Sequence, residues 1–438
     1  MKNKFFSMFD YFLVILISTL VCFGVLFIYS SSINSDGVSV TTEYYKQLVW
    51  AGIGFVLMII VTVYDYRKTN TSFSTYLYGF MVLLLIYTLI FGKVVNNAKS
   101  WVGIGSFGIQ PSEFFKIVYI VFLAKYLYNS KNENQLLRFS FAVLIMLVPL
   151  GLTLLQPDLG TASVYIPILL IMCFFAGIPI RYIMYVFSFG CLTILFAVLP
   201  VVNNVIYHGS LSFVSILSVG KLRAVLLLTC ALITLIALIV RRYFHIKKST
   251  YWVTYFFSIA TLALICSLVL TKVLKPYQIQ RLIVFINPDV DPLDTGWNII
   301  QSKIAIGAGG LFGRGFLGGT QSHYRFLPQQ STDFIFSILS EEWGFMGGVI
   351  VFGIYLLIIA RILIIMKQCT SDFGVYICSG ILAMFGYHFF INVGMVMGIM
   401  PCTGIPLFFV SYGGSSLLTG MISIGMLMSI NYRRKELA

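Results

Sequence analysis

The sequence predicts an all-α, polytopic integral membrane protein of about 12 transmembrane helices. Three observations carry that prediction. Of the 438 residues, 59% are hydrophobic and 10% are charged, and the mean hydropathy is +0.94. A soluble domain carries about 25% charged residues because its surface faces water. A soluble enzyme is therefore excluded, as are fibrous and disordered classes, which need repeats or high polarity. Apolar segments of about 20 residues, enough to cross a bilayer, recur along the chain. Finally, 29 Lys and Arg stand against 15 Asp and Glu, a net +14, and the basic residues fall in alternate loops, as cytoplasmic loops do.

Taken in order, the spans are 11–32, 45–64, 75–92, 111–128, 138–156, 160–180, 182–202, 222–240, 252–274, 333–360, 374–398 and 405–430. The first, Tyr11 to Ser32, lacks a cleavage motif and reads as a retained helix rather than a signal peptide. With Lys2 and Lys4 inside, the inside loops hold Arg67 and Lys68, Lys131 and Arg138, Arg181, then Arg241, Arg242, Lys247 and Lys248, then Arg361 and Lys367. Arg433, Arg434 and Lys435 follow. Both termini are then cytoplasmic. The eight cysteines form no CxxC pair and read as small buried apolar residues. The four histidines, at 208, 245, 323 and 388, make no zinc constellation.

Two segments fall on the outer side. Residues 93–110 are polar and contain Trp101. Residues 275–332 form the longest non-spanning stretch, and loops of that length are usually functional. Within it, Trp297, Ile300 and Ile304 recur at helical spacing and predict a short amphipathic helix. The glycine-rich stretch 307–319, with Arg314, offers backbone N–H groups to a phosphate, although it lacks a P-loop pattern. Gly394 and Gly398 form GxxxG, most simply a helix-packing motif.

Ionisable groups at membrane depth are costly, so each is a functional candidate. Glu113 and Lys116, three apart after Pro111, share a helix face. They form either an ion pair that merely allows insertion or the polar floor of an outward-facing cavity. Asp158, between Pro157 and Gly160, is a helix N-cap, a cavity residue, or both. Asp289, Asp291 and Asp294 resemble a calcium loop only loosely, because Pro292 interrupts it and no bidentate Glu follows. Asp333 stands where the long outer loop meets a helix, with Glu341 and Glu342 beyond it. A carboxylate partly desolvated at a membrane surface suits a general base, and a helix cap is the plainer alternative. Composition alone does not separate an enzyme from a transporter.

These segments resemble the SEDS family (shape, elongation, division and sporulation), most closely its rod-shape, RodA-type branch. The matching stretches are AKSW (98–101) with QPSEFFKI (110–117), QPDLGTA (156–162), and the run from Asp291 to Ser322. Further matches are FLPQQSTDFIFSILSEEWGFMG (326–347) and NVGMVMGIMPCTGIPLFFVSYGGSSLL (392–418). Thr403 in PCTG looks like the elongation type, where the division (FtsW-like) type tends to carry Lys.

The resemblance implies a SEDS-type helix bundle over 1–438, with a ten-helix core and an extra helix pair within 182–250. It implies a peptidoglycan glycosyltransferase that polymerises lipid II at the outer face of the bacterial cytoplasmic membrane and releases undecaprenyl pyrophosphate. Its partners would be a class B penicillin-binding protein and the elongation machinery, with no nucleic acid. Asp333 matches the family's essential aspartate and is the expected catalytic base. Lys116 and Arg314 would stabilise the leaving pyrophosphate, with Glu113 orienting Lys116. Trp101, Lys99, Asp158, Asp291 and Glu342 would line the cavity or its outer loop. No cofactor is certain, and a divalent cation (Mg or Mn) is one alternative for the pyrophosphate.

The sequence departs from the family pattern at Ser100, where Arg usually precedes Trp101, and at Ser331, where a His is often found. Phe408 also replaces a proline. A lipid II flippase and a non-catalytic scaffold remain the competing classes. The outer placement of most candidate residues favours chemistry on one face.

Overall fold

Each of the twelve apolar segments folds as an α-helix. The computed structural model describes residues 9–95, 98–104, 107–208, 210, 212–243, 248–273, 276–292 and 295–433. Asp294, Lys2, Lys4, Lys247, Arg434, Lys435 and His245 lie outside them. The long helices are α1 (Tyr11–Ser32), α2 (Glu43–Val63), α3 (Ser72–Phe91), α4 (Pro111–Asn129), α5 (Gln135–Leu155), α6 (Leu159–Phe175) and α7 (Ile180–Val205). After the short α8 (Ser212–Ser218) come α9 (Gly220–Tyr243) and α10 (Lys248–Val273), then α11 (Pro276–Ile286), α12 (Thr295–Gly309) and α13 (Thr320–His323). The last three are α14 (Ile335–Gln368), α15 (Asp372–Val396) and α16 (Gly414–Arg433).

Ten of these helices are long and apolar enough to cross a membrane. The other two of the twelve are α4, whose first turns carry Glu113 and Lys116, and α6, which has 17 residues. The protein is a multi-pass membrane protein.

The chain divides into two compact units, residues 1–177 with 297–438, and residues 178–296. In the first, α16 is the most enclosed helix. Of its span 89% is buried, against 22% for α3, so the core of this unit lies around α16 and α15. Small residues permit that enclosure. A Cβ added at Gly425 would stand 2.6 Å from the Met58 carbonyl of α2, and one at Gly380 2.6 Å from Ile120 of α4.

One end of this unit is tied by charge. Asp10 caps α1 and pairs with Arg361 at 2.7 Å, and Lys131 meets Asp372 at 2.6 Å. Arg138 is buried rather than a loop cation. It donates to the Leu127 carbonyl of α4 and to Ala176 after α6. Arg433 likewise donates to Thr62 and Val63 of α2 and pairs with Asp65 at 3.2 Å. Both arginines place positive charge where helix carbonyls end.

The second unit packs α7 to α11. Leu217, Cys230 and Leu264 form a small core with Phe196, Leu199 and Phe257 around it. Arg223 of α9 donates to Ser267 of α10 at 2.6 Å. The segment 182–250 holds most of α7, then α8 and α9.

Several sequence expectations change. The segment 93–110 is an antiparallel sheet in the order β1 (Lys93–Val95), β2 (Ala98–Ile104), β3 (Phe107–Ile109). The amphipathic helix exists as α12, but Ile299, Ser302 and Ala305 make its buried face, whereas Ile304 is exposed. The stretch 275–332 also holds α11, which the sequence reading missed. The final span starts at Gly414, not 405, because residues 401–413 run without a helix before it. Gly398 both packs and turns the chain: a Cβ there would run into Lys303 of α12, and at φ +72° it follows the end of α15, where the Gly394 carbonyl accepts from Ile399 and Met400.

Candidate functional site

The polar motifs of the first unit gather at the end opposite its Asp10 and Arg433 ties. Gln110 precedes α4, and its side-chain amide donates to Asp158 at 2.7 Å. Asp158 also caps α6, accepting from the Thr161 N–H at 3.0 Å and its hydroxyl at 2.8 Å. The cap expected of Asp158 is thus formed, with one carboxylate oxygen also shared with Gln110.

One turn into α4, Lys116 meets Glu113 at 2.6 Å, with side-chain exposures of 0% and 4%. The ammonium also stands 3.1 Å from His388 Nε2 of α15. Lys116 thus serves two buried partners, and it presents no surface to an anion in this arrangement. Among the described residues, the second Glu113 oxygen has no hydrogen-bond partner.

Asp333 lies in the turn before α14 and is partly exposed. The turn is pinned from several directions. Asp333 N–H donates to the Gln329 carbonyl at 3.2 Å, and its own carbonyl accepts from Asn392 Nδ2 at 3.1 Å. Two residues earlier, Ser331 donates to Glu43 of α2 at 2.6 Å, and its carbonyl accepts from Tyr412 at 2.8 Å. The Ser331 departure from the family pattern thus has a structural use.

A second cluster surrounds a break in α14. Gly344 has φ +65° and ψ −160°, a conformation open essentially to glycine alone. A break frees the carbonyls of 341 and 342 and the N–H groups of 345 and 346. The glycine-rich segment satisfies all four. Arg314 and Gly315 donate to the Glu341 and Glu342 carbonyls at 3.0 Å each. Phe345 and Met346 donate to the Gly310 and Leu311 carbonyls at 2.9 and 3.1 Å. The expected phosphate cradle is therefore not formed by these N–H groups, which are used in binding the helix.

Glu341 accepts from the Gln321 N–H at 2.9 Å and from Thr320 at 3.2 Å, and Arg314 donates to Thr320 at 2.8 Å. The Arg314 guanidinium remains exposed. Ser30 of α1 donates to the buried Glu342.

Two further candidates, Lys99 and Trp101, lie on the sheet that follows α3. Lys99 donates to the Ile90 carbonyl at 2.7 Å, closing the end of α3. The Trp101 ring lies over Gly108 on the neighbouring strand. Asp291 belongs to the second unit and accepts from Gln280 at 2.6 Å. Among the described residues, no three His, Cys, Asp or Glu side chains cluster to hold a metal ion.

A family model described as cell cycle protein, FtsW/RodA/SpoVE, matches residues 10–208 and 210–436. The chain belongs to the FtsW/RodA/SpoVE family. It is 52% identical to the peptidoglycan glycosyltransferase RodA of Treponema pallidum, over 99% of this chain and 100% of that one. It is 31% identical to the stage V sporulation protein E of Bacillus subtilis, covering 96% of each chain. A chain of a peptidoglycan synthase complex, solved for its coordination of polymerization and crosslinking, aligns with TM-score 0.68 at 25% identity, covering 97% of this chain and 98% of that one. The fold of Thermus thermophilus RodA aligns with TM-score 0.61 at 23% identity, covering 97% of each chain.

For this FtsW/RodA/SpoVE member, sequence reading missed three site residues: Glu43, His388 and Asn392. His388 and Asn392 left a usable signal, being polar residues one helical turn apart in an otherwise apolar helix. Glu43 left none, because its partner Ser331 is 288 positions away.

Proposed function

We propose that the protein is a peptidoglycan glycosyltransferase of the elongation type, polymerising lipid II at the outer face of the bacterial cytoplasmic membrane. The observation that carries this reading is 52% identity, end to end, with a peptidoglycan glycosyltransferase RodA. The site end of the first unit then faces outward, the Asp10 and Arg433 end faces the cytoplasm, and both termini are cytoplasmic.

Asp333 is the base in this proposal. It takes the proton of the acceptor sugar's 4-hydroxyl as that oxygen attacks the donor's anomeric carbon. The bond to undecaprenyl pyrophosphate breaks and its electrons leave on the phosphate oxygen. An α-linked donor thereby yields a β-1,4 linkage by direct displacement, which needs one base and no covalent intermediate. The partly exposed position of Asp333, just before the fully buried Phe334 and Ile335, supports that assignment. Arg314 is the exposed cation of the site and suits a pyrophosphate through its planar fork. Among the described residues no three His, Cys, Asp or Glu side chains cluster, and no step is assigned to a cation. A class B penicillin-binding protein is the partner, since a solved relative belongs to a synthase complex that couples polymerization to crosslinking.

The test is glycan synthesis from purified lipid II by the protein reconstituted with that partner. Wild type is expected to polymerise, and Asp333→Asn to lose about 10²- to 10⁴-fold in rate. Equal synthesis by both would remove Asp333 as the base. Transbilayer movement of lipid II without polymerisation by wild type would favour the flippase.

A further inference from the structure

Among the buried polar groups that the reaction as written does not use are His388 and Asn392. They lie four residues apart on α15 and so share a face, and both are buried, at 1% and 0% exposure. Polar groups this deep in an apolar helix are costly unless hydrogen-bonded.

Their partners assign their roles. His388 Nδ1 stands 3.0 Å from the Pro406 carbonyl, which can only accept. Nδ1 must therefore carry the proton, and Nε2 presents a lone pair. Lys116 Nζ, 3.1 Å from Nε2, is a donor and matches it. Asn392 uses one amide nitrogen twice, donating to the Ile405 carbonyl at 2.8 Å and to the Asp333 carbonyl at 3.1 Å. Its own oxygen has no protein partner. Ile405 and Pro406 are consecutive, so the two side chains hold adjacent carbonyls of the segment before α16. A continuous polar path results: Glu113, Lys116, His388, Pro406, Ile405, Asn392, and the peptide of Asp333. It joins α4 to the turn that carries the base.

We propose that His388 and Asn392 are positioning residues for glycan polymerisation, holding the Asp333 turn in register with the buried Glu113–Lys116 pair. This rests on the assignment of Asp333 as the base. Neither group touches substrate. Asn392 sets where the Asp333 peptide sits, and His388 anchors the segment against which Asn392 works. A displaced base lowers the chemical step more than binding, because proton transfer depends steeply on geometry.

The experiment measures initial polymerisation rates against lipid II concentration in the reconstituted complex with its penicillin-binding partner. The variants are Asn392→Leu, which keeps the shape and removes the donated hydrogen bonds, His388→Ala, and His388→Gln, whose amide can both donate to Pro406 and accept from Lys116. Thermal unfolding of each complex controls for folding, and Asn392→Ala replaces Asn392→Leu if the latter does not assemble. Asn392→Leu and His388→Ala are expected to lower kcat about 10- to 100-fold with KM within about twofold. His388→Gln is expected to recover to within about threefold of wild type. In an Asp333→Asn background, Asn392→Leu should add less than about twofold to the loss.

A kcat within twofold of wild type for both folded variants would overturn the proposal. So would a rise in KM alone, or an equal loss from Asn392→Leu in both backgrounds, which marks a general structural role. If Asp333→Asn itself polymerises normally, the base assignment fails. If Asp333→Asn is inactive while the α15 variants are normal, only the positioning role fails.

Discussion

Lys116 donates to Glu113 and His388 from a position with no exposed surface. An ion pair this deep is weak evidence for net stability, because desolvation offsets the attraction. Breaking it is another matter. Lys116→Met leaves Glu113 as an unpaired buried carboxylate and is expected to cost about 3–5 kcal/mol. Adding Glu113→Gln should recover much of that loss. Thermal unfolding of the detergent-solubilised protein measures both, and equal melting of the single and double variants would show that the pair is uncoupled. The Glu113–Lys116 contact was legible in the sequence because it is local, three residues on one helix. The pairing of Lys116 with His388 was not, because a contact across 272 positions leaves no mark in spacing. Nor was the use of Ser331, whose hydroxyl finds Glu43 only after α2 and α14 have packed.

At the scale of elements, two joints carry predictions. The first is the break in α14. Gly344→Ala places a Cβ in a glycine-only conformation and against Gly313. It is expected to destabilise by at least about 1–3 kcal/mol. Gly353→Ala, on the same helix with open space around it, should be neutral or mildly stabilising in the same unfolding assay. The second joint ties the ends of α2 and α16. Burial acts to raise the Asp65 carboxyl, but its hydrogen bonds to Arg67 and the nearby Arg433 charge outweigh that and hold it below the usual carboxylate value. A group lowered in this way adds stability above the unfolded value, about 3.9, and loses it as pH falls through the folded one. The melting temperature of wild type should therefore decline more steeply below about pH 4 than that of Asp65→Asn. Parallel curves would remove Asp65 as a contributor. The existence of every spanning helix was readable from apolar runs. Their ends were less so, since α16 begins only where the chain leaves the non-helical, turn-bearing 401–413 segment, and hydropathy does not register that change.

At the scale of the molecule, charge distribution separates two tasks. Buried arginines and ion pairs knit one end of the first unit, while the buried acids Glu113, Glu341 and Glu342 collect at the other. The sequence showed this polarity as a bias of basic loops, but it counted Arg138 and Arg433 as loop charges when they are helix-end ligands. The proposed orientation predicts that green fluorescent protein fused at either terminus fluoresces in cells. Alkaline phosphatase fused after residue 318 should be active. The reverse pattern would invert the assignment of faces.

The pairing of residues 310–315 with the interrupted α14 is made by main chain on both sides. It therefore constrains the length of that segment far more than its lettering. The Leu311 and Phe312 side chains, exposed at 64% and 81%, take no part in that pairing. Removing one residue between Gly310 and Gly315 would instead shift every carbonyl onto the wrong amide and leave the helix with two unmatched halves.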